Sequence, residues 1–230
     1  MRYAVLADVH GNLPALEAAV AVLEHERTDA WIHAGDAVGY GPWPNECVRL
    51  LASLDAVAVA GNHDLGVLGR LDVSRYHRIP RRLIEWTRAV LAADARRWLE
   101  ALPVQASGEG VVVAHGTLDD PSEYVRTPAH AARELARMPS TETLVLGHTH
   151  IAWWYDGRLL NPGAIGQTRD DHLLARFAVL DTAAKTAELR EVQYDVARVR
   201  RELLRRGLPF GTYRWPPSNA ARLTAGVLLR

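Results

Sequence analysis

Five clusters of polar side chains in this sequence each follow a short apolar run that has the length of a β-strand. Together they contain residue types that bind metals or transfer protons: Asp8, His10, Asp36, Asn62, His63, His115, His148 and His150. Carboxylate, amide and imidazole ligands without a thiolate suit manganese, iron, zinc, cobalt or nickel, rather than a soft metal or an all-oxygen calcium site. The residue types therefore predict a metal site of nitrogen and oxygen ligands.

The set is large enough for two metal ions. It offers seven candidate ligands, whereas one ion takes about four to six. Two pairs, Asp8 with His10 and His148 with His150, are spaced two residues apart, and alternate side chains of an extended segment point to the same side. Each pair can therefore serve one pocket.

The apolar runs that precede these clusters predict the strands of an α/β fold. They lie at residues 3–7, 30–34, 56–60, 111–114 and 143–146. Helical apolar spacing over 14–26 and 45–54 separates the first three runs, which is typical of βαβ units around a mainly parallel sheet. Because the carboxyl ends of parallel strands share one edge, we expect the five clusters to converge there.

The rest of the chain has a different pattern. Residues 66–102 predict a helical insert, and short apolar segments joined by turns over 151–195 predict a second, largely antiparallel sheet. A basic helix is predicted over 195–206. We expect one domain over residues 1–208 that includes the insert, followed by a C-terminal tail at 209–230.

Composition excludes several classes of protein. The 230 residues are 48% hydrophobic and 23% charged, which is typical of a folded globular domain. The 27 basic and 27 acidic residues balance, so no global positive field favours nucleic acid or a membrane as the partner. Cys47 is the single cysteine, which excludes an internal disulfide, and no apolar run is long enough to cross a membrane. The expectation is a cytoplasmic protein.

The five clusters resemble, in order, the motifs of the calcineurin-like metallophosphoesterase superfamily. They read DVHGN from Asp8, GDAVG from Gly35, GNHD from Gly61, HG at His115 and GHTH from Gly147. Further segments, GYGPWPNE, NPG at 161–163 and the residues around Arg169-Asp170, resemble its branch of small bacterial and archaeal phosphodiesterases. Part of that branch has cysteine in place of His63. The resemblance implies a four-layer α/β/β/α sandwich of two mixed sheets.

The resemblance also implies a division of the ligands between two divalent ions, for which manganese is favoured. The first ion would take Asp8, His10 and His150. The second would take Asn62, His115 and His148, and the Asp36 carboxylate would bridge the two. Hydroxide shared by the ions would attack the phosphorus. His63 would remain unligated and stabilise or protonate the leaving oxygen.

The function implied is hydrolysis of a small phosphate ester or nucleotide, and a phosphodiester is favoured. A phosphomonoesterase, a dinucleoside polyphosphate hydrolase and a non-catalytic metal-binding scaffold are the alternatives. Arg169 follows the NPG turn and is a candidate for binding a phosphate oxygen through its guanidinium group. His33, inside the second predicted strand, is interpreted as a buried core or supporting residue.

Overall fold

Two five-stranded sheets face each other across a layer of buried aliphatic side chains. The computed structural model of the chain describes residues 1–169 and 173–209, so Asp170 and all of the predicted tail beyond Pro209 lie outside the described residues. Within the described ranges no helix is long and apolar enough to span a membrane.

The first sheet has the strand order β10-β9-β1-β2-β3 and the second the order β4-β5-β6-β8-β7. The strands are β1 (Arg2–Leu6), β2 (Ala30–His33), β3 (Val57–Ala58), β4 (Gln105–Gly108), β5 (Val111–Ala114), β6 (Thr143–Val145), β7 (Trp153–Tyr155), β8 (Leu159–Asn161), β9 (Ala175–Asp181) and β10 (Thr186–Val192). Parallel pairs join β1 to β2, β2 to β3, β5 to β6 and β6 to β8, and the other pairs are antiparallel. Both sheets are therefore mixed.

The helices cover the outer faces of the two sheets. They are α1 (Leu13–Leu23), α2 (Pro44–Ser53), α3 (Asn62–Leu68), α4 (Arg78–Val90), α5 (Ala93–Ala101), α6 (Pro128–Leu135) and α7 (Val196–Arg205). Apolar residues of α1, α2 and α5 pack on the first sheet, and those of α6 pack on the second. The four-layer α/β/β/α sandwich implied by the sequence is thus confirmed.

The predicted division of strands between the sheets was wrong. The five strands that precede the polar clusters do not form one sheet, because β1, β2 and β3 belong to the first sheet and β5 and β6 to the second. The segment 151–195 does not form a separate antiparallel sheet either, since β9 pairs with β1 while β8 pairs with β6. A fully apolar run is equally suited to the centre of either sheet, so its sequence does not identify its partner.

The first predicted helix and its cap are confirmed, whereas the helical insert begins earlier than expected. Asn12 accepts a hydrogen bond from the Ala15 N–H at 3.3 Å, which caps α1. Helix α3 starts at Asn62, so Asn62 and His63 occupy its first turn and do not end a strand. Asp64 accepts the Gly61 N–H at 2.9 Å and stabilises this helix start.

Candidate metal centre

All eight candidate side chains lie together: six follow strands of the two sheets, and Asn62 and His63 lie in the first turn of α3. None of them is more than 6% exposed. The Nε2 atom of His150 lies 3.3 Å from Oδ1 of Asp8, and that of His115 lies 3.3 Å from Oδ2 of Asp36. Two sheets, and not one, therefore supply the predicted convergence.

The potential ligand atoms form two groups that meet at Asp36. Donor atoms of Asp8, His10 and His150 lie within 4.8 Å of one another, and so do those of Asp36, His115 and His148. A third combination within the same distance, His10 with Asp36 and His63, connects these two groups. The Oδ1 atom of Asn62 is 3.0 Å from Nε2 of His115 and adds an oxygen to the second group. Oδ2 of Asp36 also lies 3.6 Å from Nε2 of His10, so this single oxygen faces both groups.

Backbone carbonyls determine which nitrogen of each histidine faces the centre. Nδ1 of His10, His115 and His150 contacts the carbonyl oxygens of Val38, Ala34 and Gln167, and Nε2 of His148 contacts that of Ser122, at 2.5–3.2 Å. A carbonyl oxygen only accepts, so each of these nitrogens must carry the proton. In the neutral rings the opposite nitrogens therefore present lone pairs, an arrangement typical of metal-binding histidines.

These inward lone pairs oppose one another unless a cation or a proton lies among them. Nε2 of His10 is 3.1 Å from Nε2 of His150, although neither carries a proton in the neutral rings. Nε2 of His115 faces Oδ1 of Asn62 in the same way. The Asn62 amide is oriented by its Nδ2 group, which donates to the Tyr76 hydroxyl at 2.7 Å. The donor set therefore fits divalent cations, which would relieve this repulsion.

The two aspartates have spare ligand capacity. Oδ1 of Asp8 accepts the backbone N–H of His148 at 3.2 Å, and Oδ1 of Asp36 accepts that of His63 at 2.8 Å. Within residues 1–169 and 173–209, Oδ2 of each aspartate is buried and accepts no hydrogen bond. A buried carboxylate oxygen without a donor is costly, and a bound cation compensates for it.

Burial and the carboxylates act in opposite directions on the histidines. Burial lowers the pKa of His148 to about 2. Burial also opposes charge on His115, but the nearby Asp36 and Asp8 carboxylates outweigh it and raise the pKa of His115 to about 10. Without a metal ion, a proton on His115 thus supplies part of the positive charge that the centre requires.

Five of the candidate ligands adopt left-handed backbone conformations. Asp8, His10, Asp36, His148 and His150 have φ angles between 52° and 64°. Such conformations cost roughly 1–3 kcal/mol for a non-glycine residue and are frequent at functional sites. Backbone hydrogen bonds hold the strained loops together, for example from the N–H of His10 to the carbonyl of Asp36 at 2.9 Å. The loops that bring these candidate ligands together are therefore strained at the ligand residues themselves.

His63 lies beside the two ligand groups, with a ring that the surrounding loop holds in place. Its ring centre is 4.8 Å from that of His10 and 4.6 Å from that of Tyr40. Gly39, at φ 121°, packs so closely on the ring that any Cβ there would overlap it. Its buried Nδ1 has no hydrogen-bond partner in the described part of the chain, and burial lowers its pKa to about 4. The ring is therefore neutral near pH 7.

Asp64 does not orient the His63 ring. Its carboxylate accepts backbone N–H groups from Gly61, Ala37 and Val38 at 2.9–3.2 Å. These bonds join the start of α3 to the loop after β2. Asp64 is therefore a positioning residue for the loop that carries Asp36.

An aromatic and basic rim around the centre was missed by sequence reasoning, apart from Arg169. The Tyr124 ring stacks on His148 with centres 4.0 Å apart, and Arg126 lies over Tyr124 at 3.5 Å. Arg169 donates to the Tyr124 hydroxyl at 3.4 Å, which places the candidate phosphate ligand at this rim. Besides Arg169, the sequence pointed only to Tyr40, through the GYGPWPNE segment that contains it. Tyr124 and Arg126 lie in a loop without a recognisable motif.

Comparison with known proteins identifies related folds and sequences. The model of the calcineurin-like phosphoesterase superfamily domain matches residues 1–185. The crystal structure of a metallophosphoesterase from Sphaerobacter thermophilus is similar, with 31% identity, a TM-score of 0.80 and 99% of each chain covered.

Two further relatives extend this similarity. A hypothetical protein from Pyrococcus horikoshii OT3 shares the fold, with a TM-score of 0.82, 20% identity, and coverage of 92% of this chain and 96% of that chain. An uncharacterised protein from Methanocaldococcus jannaschii is 28% identical over 228 residues, which cover 90% of this chain and 93% of the relative.

His33 is a buried histidine next to this centre that belongs to neither ligand group. It ends β2 with no exposed surface, and its ring centre is 6.5 Å from that of Trp98. Within the described residues neither ring nitrogen has a hydrogen-bond partner. Burial lowers the pKa of His33 from 6.5 to about 4. The folded chain therefore keeps this ring neutral where an unfolded chain would protonate it.

This difference predicts a pH-dependent loss of stability. Between pH 6.5 and 4 the unfolded state binds more protons at His33, so the free energy of unfolding falls as the pH falls. In metal-free protein, the free energy of unfolding should fall between pH 7.5 and pH 5 by about 2 kcal/mol less in His33→Leu than in the wild type. Urea unfolding at both pH values measures this effect, with the exposed histidine variant His25→Leu as the control. The same pH dependence in wild type and His33→Leu would contradict the assignment.

Proposed function

Because the chain belongs to the calcineurin-like phosphoesterase superfamily and is a metal-dependent phosphoric ester hydrolase, we propose that it cleaves phosphodiesters with two divalent cations. One observation carries the proposal. Oδ2 of Asp36 faces His10 of the first ligand group and His115 of the second, at 3.6 and 3.3 Å. A carboxylate oxygen in that position suits a bridge between two ions. We favour manganese, while iron, zinc, cobalt or nickel would suit the same ligands.

The proposed ligand sets follow the two groups in the structure. Asp8, His10 and His150 would hold one cation; Asn62, His115 and His148 would hold the other, with Asp36 shared. When bound, such a pair of ions supplies a water of lowered pKa as nucleophile and neutralises the phosphoryl oxygens. The carbonyls behind the imidazoles keep each ligand nitrogen unprotonated and aimed inward.

His63 would serve the leaving group. Since its pKa is about 4, its neutral ring approaches the phosphoryl group as a hydrogen-bond donor and not as a cation. Negative charge that develops on the leaving oxygen in the transition state would strengthen that hydrogen bond, so the neutral ring would stabilise the leaving oxygen and solvent would supply its proton. The close packing of Gly39 and Tyr40 holds the ring in one orientation for this purpose.

The alternatives differ in substrate or in the presence of catalysis. A phosphomonoesterase or dinucleoside polyphosphate hydrolase would use the same centre. A metal-binding scaffold would not need His63, which is retained here beside a full set of ligands. We propose that residues 1–208 form the catalytic domain of a cytoplasmic enzyme that acts on small phosphate esters or nucleotides.

Removal of the bridging charge should disrupt the metal pair. Asp36→Asn keeps the size of the side chain and tolerates its left-handed backbone, but it loses the negative charge that both cations share. We expect the variant to retain less than half of the wild-type manganese and to lose hydrolysis of bis(4-nitrophenyl) phosphate. Elemental analysis after gel filtration measures the metal.

Asp156→Asn is the matched control, because Asp156 is an exposed aspartate with φ 53° in a turn. It should keep wild-type metal content and turnover. Wild-type protein stripped of metal should be inactive and recover with manganese. Full metal content and activity in Asp36→Asn would refute the bridge, and no recovery with any divalent ion would favour the scaffold.

Loss of His63 should slow the reaction without removing metal. His63→Ala should lower kcat by about 100-fold or more for an alkyl leaving group, and by less for 4-nitrophenol, which leaves without a proton. Steady-state kinetics with a diester that has an alkyl leaving group and with bis(4-nitrophenyl) phosphate measures this difference in kcat, and metal analysis verifies the metal content. His25→Ala, at an exposed helix end, is the control. Equal rates in wild type and His63→Ala with the alkyl diester would remove His63 from the mechanism.

A further inference from the structure

Tyr76 belongs to none of the five motif clusters, yet it contacts a candidate metal ligand. It lies in the segment between α3 and α4, inside the helical insert. Its hydroxyl oxygen is 2.7 Å from Nδ2 of Asn62 and accepts a hydrogen bond from that amide. Its ring centre lies 5.9 Å from that of His63. The insert thus reaches the second ligand group through one hydroxyl group.

Packing of the insert on α3 places Tyr76. Val73 lies so close to Gly66 of α3 that a Cβ on this glycine would come within 2.8 Å of it. The Tyr76 N–H donates to the Val73 carbonyl at 3.0 Å. Arg88 of α4 donates to the carbonyls of Gly66 and Val67 at 2.6 and 3.1 Å. The insert is therefore held on the same helix whose first turn carries the amide.

The Asn62 amide needs a hydrogen-bond acceptor on the side away from a cation. An amide has an acceptor oxygen and a donor nitrogen, so when Oδ1 faces a cation, Nδ2 faces away from it. Asn62 is only 3% exposed to solvent. In the part of the chain that the structure describes, the Tyr76 hydroxyl is the acceptor for Nδ2. Without this hydroxyl, the orientation that binds metal would leave a buried N–H group unpaired, which is costly.

The other candidate ligands are supported by the backbone. The rear nitrogens of His10 and His150 contact backbone carbonyls, and Oδ1 of Asp8 accepts a backbone N–H. The two imidazoles of the second group also contact backbone carbonyls. Among the described residues, Asn62 is therefore the one candidate ligand whose hydrogen-bond partner is a side chain outside the centre. Loss of the Tyr76 hydroxyl should thus affect one cation and not the other.

We propose that Tyr76 is a positioning residue for the second cation. Its hydroxyl accepts the hydrogen bond from Nδ2 of Asn62, keeps Oδ1 directed at the ion, and so raises the affinity for that ion alone. The inference rests on the proposed function, because it requires a centre of two cations, and it gives the helical insert a part in metal binding. Partners that orient metal ligands typically contribute about tenfold or more to metal affinity.

Titration of metal-free protein with manganese tests this role without relying on turnover. Electron paramagnetic resonance of the free ion measures the affinity of each binding event. Tyr76→Phe keeps the ring and removes the hydroxyl, so one of the two events should weaken by about tenfold or more and the other by less than about twofold. At saturating manganese, kcat for bis(4-nitrophenyl) phosphate should be within about twofold of the wild-type value, because the occupied centre has the same ligands.

Tyr3→Phe is the matched control, since it removes the hydrogen bond from the hydroxyl of a buried tyrosine on β1 to the Glu109 carbonyl. It should keep both manganese affinities. A double-mutant cycle tests whether Tyr76 acts through the amide. In protein that carries Asn62→Ala, the addition of Tyr76→Phe should weaken manganese binding no further.

Four results would each overturn the inference: equal weakening of both binding events in Tyr76→Phe, unchanged affinities, further weakening in the double variant, or a kcat that stays low at saturating manganese. The last result would place Tyr76 on the substrate or on His63 instead. Wild type that binds a single manganese ion would refute the two-cation centre of the proposed function, and the inference with it.

Discussion

Repulsion among buried lone pairs is the constraint on which the rest of this structure depends. Four imidazoles are each held from behind by a backbone carbonyl, so their free nitrogens turn towards one another and towards two buried carboxylates. One of these contacts brings two ring nitrogens to 3.1 Å. An arrangement of this kind is stable only with positive charge inside it, which explains why phosphate chemistry occurs in a chain with no net charge.

The surrounding fold maintains this arrangement at a cost. Most of the candidate ligands lie in loops from two sheets, and five of them adopt left-handed backbone conformations that most non-glycine residues avoid. Asp64 and Glu134 hold two of these loops through backbone N–H groups, so buried carboxylates stabilise the site without entering it. Metal binding would add stability to the folded state alone, which offsets the strain.

Much of the site could be predicted from the sequence, whereas the pairing of the strands could not. The convergence of the candidate ligands could be predicted because Asp8 and His10, or His148 and His150, combine a metal-binding residue type with a position after an apolar run. The partner of such a run depends on contacts across the whole chain, so β9 was wrongly separated from β1. Tyr124 and Arg126 were missed because a ring stacked on a ligand is a tertiary contact without a local signature.

Anomalous X-ray scattering from crystals grown with manganese tests the central claim most directly, because it locates each ion independently of any assay. We predict two peaks, about 3.5 to 4 Å apart, with Asp36 contacting both. One peak should lie against Asp8, His10 and His150, and the other against Asn62, His115 and His148. A single peak, or ions bound outside these groups, would contradict a centre of two metal ions.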